Sequence, residues 1–170
     1  MPIEFQILDM IQSIRNPVLD LIMICITNLG EAGIVWIITG ITLLFFPQTR
    51  KSGAVVLVAL FVEMLLCNGL LKNIFQRIRP CDVKTSIELL VACPHDFSFP
   101  SGHTAASFAA AFALLFSGRK VLCVPAFILA CLIALSRLYL YVHFPTDILG
   151  GIFVGALCAW LSWKGWKVAI

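Results

Sequence analysis

Six apolar runs separated by short polar segments leave this chain few ways to bury its surface. They are Val18–Leu29, Ile34–Phe46, Gly53–Leu71, Thr104–Ser117, Val121–Val142 and Ile148–Trp163. Crossing a hydrocarbon core of roughly 30 Å takes roughly 20 helical residues, so the third and fifth runs are long enough to span alone. The first two are short. They recruit flanking residues, cross a locally thinned region, or form a hairpin that does not fully span; two crossings or none leave the next loop on the same side. Hydrophobic residues make up 61% of the chain and charged residues 12%, against about 25% charged in a soluble domain. The expectation is an all-α, integral membrane, six-transmembrane-helix bundle forming one domain over residues 1–170.

Ahead of the first run, Ile7, Met10, Ile11 and Ile14 share a helical face opposite Gln6, Asp9, Gln12 and Ser13. This predicts a short amphipathic N-terminal helix, either interfacial or packed against the bundle. Met1–Pro17 has neither a basic n-region nor a small-residue cleavage site, so no signal peptide is expected. The net charge of +3 is small and scattered, which argues against a nucleic-acid partner.

Six crossings put the N-terminus, Pro47–Ser52, Gly118–Lys120 and the C-terminus on one side. That side holds Arg15, Arg50, Lys51, Arg119, Lys120, Lys164 and Lys167, against Lys72, Arg77, Arg79, Lys84 and Arg137 on the other. The positive-inside rule makes the first side, with both termini, cytoplasmic. The unusual polar residues collect on the opposite, extracytoplasmic face, where three separate segments converge.

The first segment carries Lys72 and Arg79, seven residues apart and followed by Pro80. On a continuous helix they share a face about two turns apart, whether as anion ligands or as snorkelling cations. Arg77 lies off that face and is expected to meet headgroups. The second segment, Phe97–Thr104, reads Phe-Ser-Phe-Pro-Ser-Gly-His-Thr. Ser101 suits a helix N-cap, Gly102 lets a ligand approach the backbone, and the first-turn N–H groups form an anion site. The third segment runs from Ser136-Arg137 to His143 and Asp147. Asp147 can orient the His143 imidazole through one nitrogen and leave the other free as a nucleophile. Taken singly, each residue has an ordinary structural reading, such as a first-turn carboxylate on the helix dipole. Together, three cations and a ring of N–H donors suit a dianionic tetrahedral group. One histidine attacks and the other protonates the departing oxygen. No cluster of metal-ligand residues is present on this face, so neither metal nor other cofactor is expected; the chemistry is phosphoryl transfer to water.

Three blocks carry a resemblance. Lys72 stands six residues before Arg79-Pro80, then comes Pro100-Ser101-Gly102-His103, then Ser136-Arg137 with five residues before His143 and three before Asp147. This resembles the signature of the type 2 phosphatidic acid phosphatase superfamily at every position, in small bacterial-type membrane relatives. The resemblance implies that His143 forms a phosphohistidine, that Asp147 orients it, and that His103 is the general acid. It implies Lys72, Arg79, Ser101, Gly102 and Arg137 as phosphate-binding residues, with Ser136 in support. Soluble vanadium-dependent haloperoxidases share the signature, but the membrane-spanning composition argues against that branch.

Of seven cysteines, Cys25, Cys67, Cys123, Cys131 and Cys158 fall inside apolar runs and read as small core residues. Cys81 and Cys93 bracket a polar loop, as a disulfide or as two free thiols. Within that loop Ile87–Ala92 is a candidate short helix covering the site, and His95 and Asp96 are loop residues able to influence specificity. Glu63, mid-run, is expensive unless paired or protonated; an interhelical hydrogen bond is expected, too deep for phosphate. Asp20 reads as structural. Trp160, Trp163 and Trp166 form an interfacial belt, and Gly150, Gly151 and Gly155 permit close helix packing.

The expected function is hydrolysis of a membrane lipid phosphate, with phosphatidylglycerol phosphate or phosphatidic acid favoured. The alternatives are undecaprenyl pyrophosphate hydrolysis and, in another class, a non-enzymatic phospholipid or anion transporter.

Overall fold

The structure, a computed structural model, describes residues 3–168, with side chains described through Trp166. The outermost two residues at each end of the expected 1–170 domain, and the Lys167 side chain, lie outside the described residues. The described residues form helices joined by loops, without strands; the α-helices are α1 (Ile3–Ser13), α2 (Pro17–Leu29), α3 (Ile34–Phe45), α4 (Arg50–Glu63), α5 (Lys72–Phe75), α6 (Pro80–Val83), α7 (Gly102–Phe116), α8 (Lys120–Tyr139) and α9 (Pro145–Val168). All six apolar runs thus fall on helices, with boundaries within a few residues of those expected.

The bundle is built around α7. Its stripe of Ala105, Ala109 and Ala113 is fully buried, and α9 meets it through glycines. A Cβ on Gly155 would stand 2.5 Å from the Ala105 carbonyl oxygen, and one on Gly151 2.8 Å from that of Ser101. Small residues let the two backbones approach closely, and in lipid close packing drives helix association. The outward faces stay apolar and exposed, as at Ile38, Phe61, Val124, Ile128, Leu135 and Phe153. A girdle of this kind suits surrounding acyl chains.

Three stretches are long and apolar enough to cross a membrane alone: Arg50–Val83, Lys120–Tyr139 and Pro145–Trp166. α3 and α7 are shorter, yet both run from one end of the bundle to the other. α7 begins beside the polar cluster and ends at Gly118, whose φ of +76 turns the chain into α8. α3 packs Trp36 on α7 through an indole N–H bond to Ser107 Oγ (2.9 Å). It then leads into α4, where Ser52 accepts a bond from Arg119 in the α7–α8 turn.

The first run is anchored at the site end of the bundle. α2 bends 120° from α1 after Asn16, which caps it by accepting the Leu19 N–H, and Pro17. Both of its ends stay at the C-terminal end of α8: Asp20 binds the Tyr139 hydroxyl (2.5 Å) and Thr27 binds Arg137 (2.6 Å). α1 sits at that same end. Its Glu4 reaches Arg77 and Thr146, and its Asp9 reaches Lys84 and Tyr141. By length and composition three stretches cross, or four if the bent α1–α2 pair counts as one, so the all-helical bundle is seen and the six expected crossings are not all shown. The N-terminal helix lies beside the polar cluster rather than across the bundle from it. The short first run was the ambiguous one; polar anchors at both ends hold it where it is. α1 packs on the bundle, with Leu8 buried and Phe5 edge-on against Phe144 (5.3 Å), while Met10 and Ile14 of the expected apolar face are exposed.

Other expectations divide. Trp163 stacks near Phe116 (5.8 Å), and Lys164 lies over the Trp160 ring (4.5 Å), at the end opposite the polar cluster. Cys81 and Cys93 form a disulfide. Among the five other cysteines Cys67, Cys123 and Cys158 are buried, but Cys25 and Cys131 face outward. Ile87–Ala92 is irregular rather than helical; its Leu89, Leu90 and Val91 pack directly on Tyr139, Leu140 and Val142.

Candidate active site

The long third run does not continue as one helix to Pro80. After Glu63 it widens to a π segment, Met64–Leu71, returns to α-helix for one turn, and stops at Phe75. Gln76 then adopts a left-handed conformation (φ +45), and Arg79 is extended (φ −75, ψ 153) as the residue before a proline must be. The expected face-sharing of Lys72 and Arg79 on one helix is thus replaced by a break at Gln76, beyond which both side chains still meet at one partner. Both are buried, and both bind Asp96. Its carboxylate takes the Lys72 ammonium with one oxygen and Arg79 Nη2 (2.6 Å) with the other.

His143 follows a tight turn at Tyr141 (φ +60), and Pro145 opens α9. Asp147, at the third helical position, reaches back to accept the Phe144 N–H (2.8 Å), the reciprocal half of a capping box. The same fully buried carboxylate accepts Ser98 Oγ–H (2.5 Å) and Arg77 Nη1–H (2.7 Å), and lies 3.4 Å from His143 Nδ1. On the other side of the ring, Nε2 is 3.0 Å from Arg79 Nη1. A guanidinium only donates, so Nε2 carries the lone pair and Nδ1 the proton, facing Asp147. Burial pulls the His143 pKa down to about 3, which keeps the ring neutral. Asp96 behaves differently: burial opposes its ionisation, but Lys72 and Arg79 outweigh this and bring it down to about 2.

Ser101 ends the loop before α7, yet its hydroxyl makes no cap. It accepts Thr104 Oγ1–H (3.0 Å), and the Ser101 N–H donates to the Asp147 carbonyl (3.1 Å). These bonds tie the second and third motifs together. His103 Nε2 lies 3.3 Å from Glu31 Oε2. Arg137 is buried, bonds Thr27 through Nη1, and leaves Nε without a partner; among the described residues no carboxylate pairs with it.

Of the eight expected site residues, Lys72, Arg79, Gly102, His103, Arg137 and His143 line one cavity of about 620 Å³. Ser101 and Asp147 stand behind this wall. The cavity continues past Asn68 to Leu57, Leu60 and Phe61, so a polar chamber opens toward the apolar faces of α3 and α4. Glu63 lies on this path. Its Oε1 is unpartnered, and the expected hydrogen bond to a neighbouring helix is not found among the described residues.

The sequence reading missed several participants. Arg77 does not point to headgroups: it bridges Asp147, Thr146 and Glu4 (2.6 Å), with its guanidinium 4.1 Å from the Phe144 ring centroid. Ser98, Thr27 and Glu31 also carry no signal of their own in the sequence. Ser98 lies two residues before Pro100, and that proximity is the only hint. Cys81, Asp82 and Cys93 are the one group of metal-type ligands close together among the described residues, and the two thiols are spent on the disulfide.

The bundle gathers two histidines and three cations around one cavity, with the Asp147 carboxylate behind its wall, an arrangement able to bind a phosphate group and attack it. Comparison with known families agrees: residues 51–169 match the PAP2 superfamily. The chain belongs to that superfamily of phosphatases. It is 34% identical over 128 residues to an undecaprenyl-diphosphatase of Sulfolobus acidocaldarius, covering 75% of this chain and 62% of that protein's length. Among solved structures, Aquifex aeolicus LpxE superposes with a TM-score of 0.84 at 30% identity, covering 96% of each chain. A PAP2-type phosphatidylglycerolphosphate phosphatase from Bacillus subtilis superposes with a TM-score of 0.76 at 32% identity, covering 97% of this chain and 84% of that one.

Proposed function

We propose that the protein is a lipid phosphate phosphatase acting through a phosphohistidine on His143, as one membrane-embedded unit. Arg137 carries this reading. A buried guanidinium without a carboxylate partner, facing the same cavity as both histidines, needs an anionic ligand. In the reaction the His143 Nε2 lone pair attacks phosphorus in line, Asp147 stabilises the charge gained at Nδ1, and His103 protonates the departing oxygen. Water, activated by His103, then cleaves the N–P bond. Lys72, Arg79, Arg137 and the Gly102 amide neutralise the equatorial oxygens, the task a metal ion performs elsewhere. Ser101 lies behind the wall and supports the α7 start.

A lipid substrate follows from the cavity's continuation between α3 and α4, where an alkyl chain remains in the bilayer while its phosphate reaches the cations. We favour phosphatidylglycerol phosphate or phosphatidic acid, a reading supported by the name of the Bacillus subtilis structure. The second reading, a prenyl pyrophosphate, is supported by the Sulfolobus relative. His103→Ala separates them mechanistically. A lipid alkoxide leaves poorly without a proton, so the variant loses more activity on a monoester than on a pyrophosphate; equal losses contradict the assignment.

Orientation follows from charge. The end opposite the site carries Arg50, Lys51, Arg119, Lys120, Lys164 and Lys167 and no acidic residue. At the site end the cations other than Arg137 are paired with carboxylates: Arg15 with Asp20, Arg77 with Glu4, Lys84 with Asp9, and Lys72 and Arg79 with Asp96. The uncompensated end is cytoplasmic, so the site and the N-terminal helix lie on the extracytoplasmic face. The testing experiment is a panel of lipid phosphates and pyrophosphates turned over by purified protein, with His143→Ala as control. Phosphate release by wild type and none by the variant is expected; transport without release would support the non-enzymatic class.

A further inference from the structure

Asp96 lies outside every position that the family signature covers, yet it engages two residues inside it. Its carboxylate takes Lys72 with Oδ2 and Arg79 Nη2 with Oδ1, and its backbone carbonyl accepts Arg79 Nε–H at 2.8 Å. A carboxylate offers arginine the same fork of acceptor oxygens that a phosphate does. Held this way, Arg79 keeps Nη1 3.0 Å from His143 Nε2, the lone pair that has to reach phosphorus. Arg137 takes no part in the arrangement. The Asp96 side chain is 52% exposed and stands three residues past Cys93. The disulfide therefore fixes the root of this loop while the half-exposed carboxylate has open space to turn toward water.

We propose that Asp96 is an internal substitute for substrate phosphate: an affinity-determining residue that occupies Lys72 and Arg79, holds Arg79 over the nucleophilic nitrogen, and exchanges with a phosphate dianion. The inference rests on the reading that Lys72 and Arg79 bind phosphate. Exchange weakens binding by the fraction of time the cations are taken, so an occupancy of about nine-tenths imposes about a tenfold penalty. The same exchange hastens release of orthophosphate, because the competing carboxylate is tethered beside the site.

The test uses purified protein in detergent and inorganic phosphate as the probe. The phosphate concentration that half-saturates binding, from isothermal titration calorimetry, is measured for wild type, Asp96→Asn, Asp96→Ala and Lys72→Ala. KM for a water-soluble phosphate ester is measured beside it. Both Asp96 variants should lower the half-saturating phosphate concentration and KM, by about tenfold for Asp96→Ala. If Asp96 instead only positions the two cations, both quantities rise; a rise or no change overturns the proposal. Lys72→Ala should raise the half-saturating concentration whatever Asp96 does. If it does not, the phosphate reading of the cavity itself fails, and that failure is distinguishable from the failure of the Asp96 proposal. Unliganded melting temperatures report whether each variant folds.

Discussion

Arg77 offers the sharpest perturbation, because the sequence alone assigns it to headgroups whereas the structure sets it against the carboxylate behind His143. Its Nη1 donates to Asp147 Oδ1 at 2.7 Å, and its Nη2 is held by Glu4 at 2.6 Å. Asp147 is fully buried, and among the described residues Arg77 is its one cationic partner, the His143 ring beside it being neutral. Removing one partner of a buried ion pair costs about 3–5 kcal/mol. Arg77 is 29% exposed, so water replaces part of the loss, and about 2 kcal/mol is a reasonable share to remain. If that share falls on orienting His143 in the transition state, Arg77→Ala lowers kcat about 30-fold. Arg77→Lys keeps the charge but not the two-pronged contact and should recover part of it. Glu4→Gln, which loosens Arg77 without removing it, should cost less than tenfold. The assay is kcat and KM on a soluble phosphate ester and on vesicle-borne lipid phosphate, with melting temperatures as a check on folding. The reasoning is refuted if Arg77→Ala leaves kcat on the soluble ester unchanged and raises only KM on vesicles. That pattern belongs to a headgroup contact.

Further predictions concern the frame around the site. Reduction of Cys81–Cys93, or its replacement by serines, should destabilise the protein by about 3 kcal/mol, since a loop of this length regains that much chain entropy. A denaturant titration with and without reductant measures it, and coincident curves contradict it. Gly155→Leu should disrupt the bundle, because even a Cβ would stand 2.5 Å from the Ala105 carbonyl; detergent-solubilised protein should melt well below wild type, and an unchanged melt refutes the packing. Burial disfavours the charged form of His143 and lowers its pKa to about 3. The neutral form is therefore populated above that value and lost only below it. Histidine ¹⁵N NMR, assigned with His143→Gln, should show no His143 titration between pH 5 and 8; a midpoint near 6.5 contradicts this.

Much of the site was legible because its chemistry is written in short blocks. Pro145 beside Asp147 announces a helix start, and that start puts the carboxylate within reach of His143. Pro100-Ser101-Gly102 marks the entrance to α7 in the same way. The helices were legible because the runs are apolar at lengths that only helices satisfy in lipid. What escaped the sequence depends on tertiary placement. Where α2 lies is set by Asp20 meeting Tyr139 and Thr27 meeting Arg137, contacts over a hundred residues apart. No local pattern encodes them. Arg77 read as peripheral because helical periodicity was carried through to Pro80, whereas the chain leaves the helix at Gln76. Ser98 and Asp96 are ordinary loop residues until the disulfide-rooted loop folds onto Lys72, Arg79 and Asp147.

The central claim is that the phosphoryl group passes through His143. Rapid quench of the purified protein with ³²P-labelled lipid phosphate, followed by peptide mapping, tests it most directly. An acid-labile, base-stable label on the peptide carrying His143 is predicted, absent in His143→Gln and longer-lived in His103→Ala with a pyrophosphate substrate. Label retained by His143→Gln, or turnover by that variant, would contradict the account.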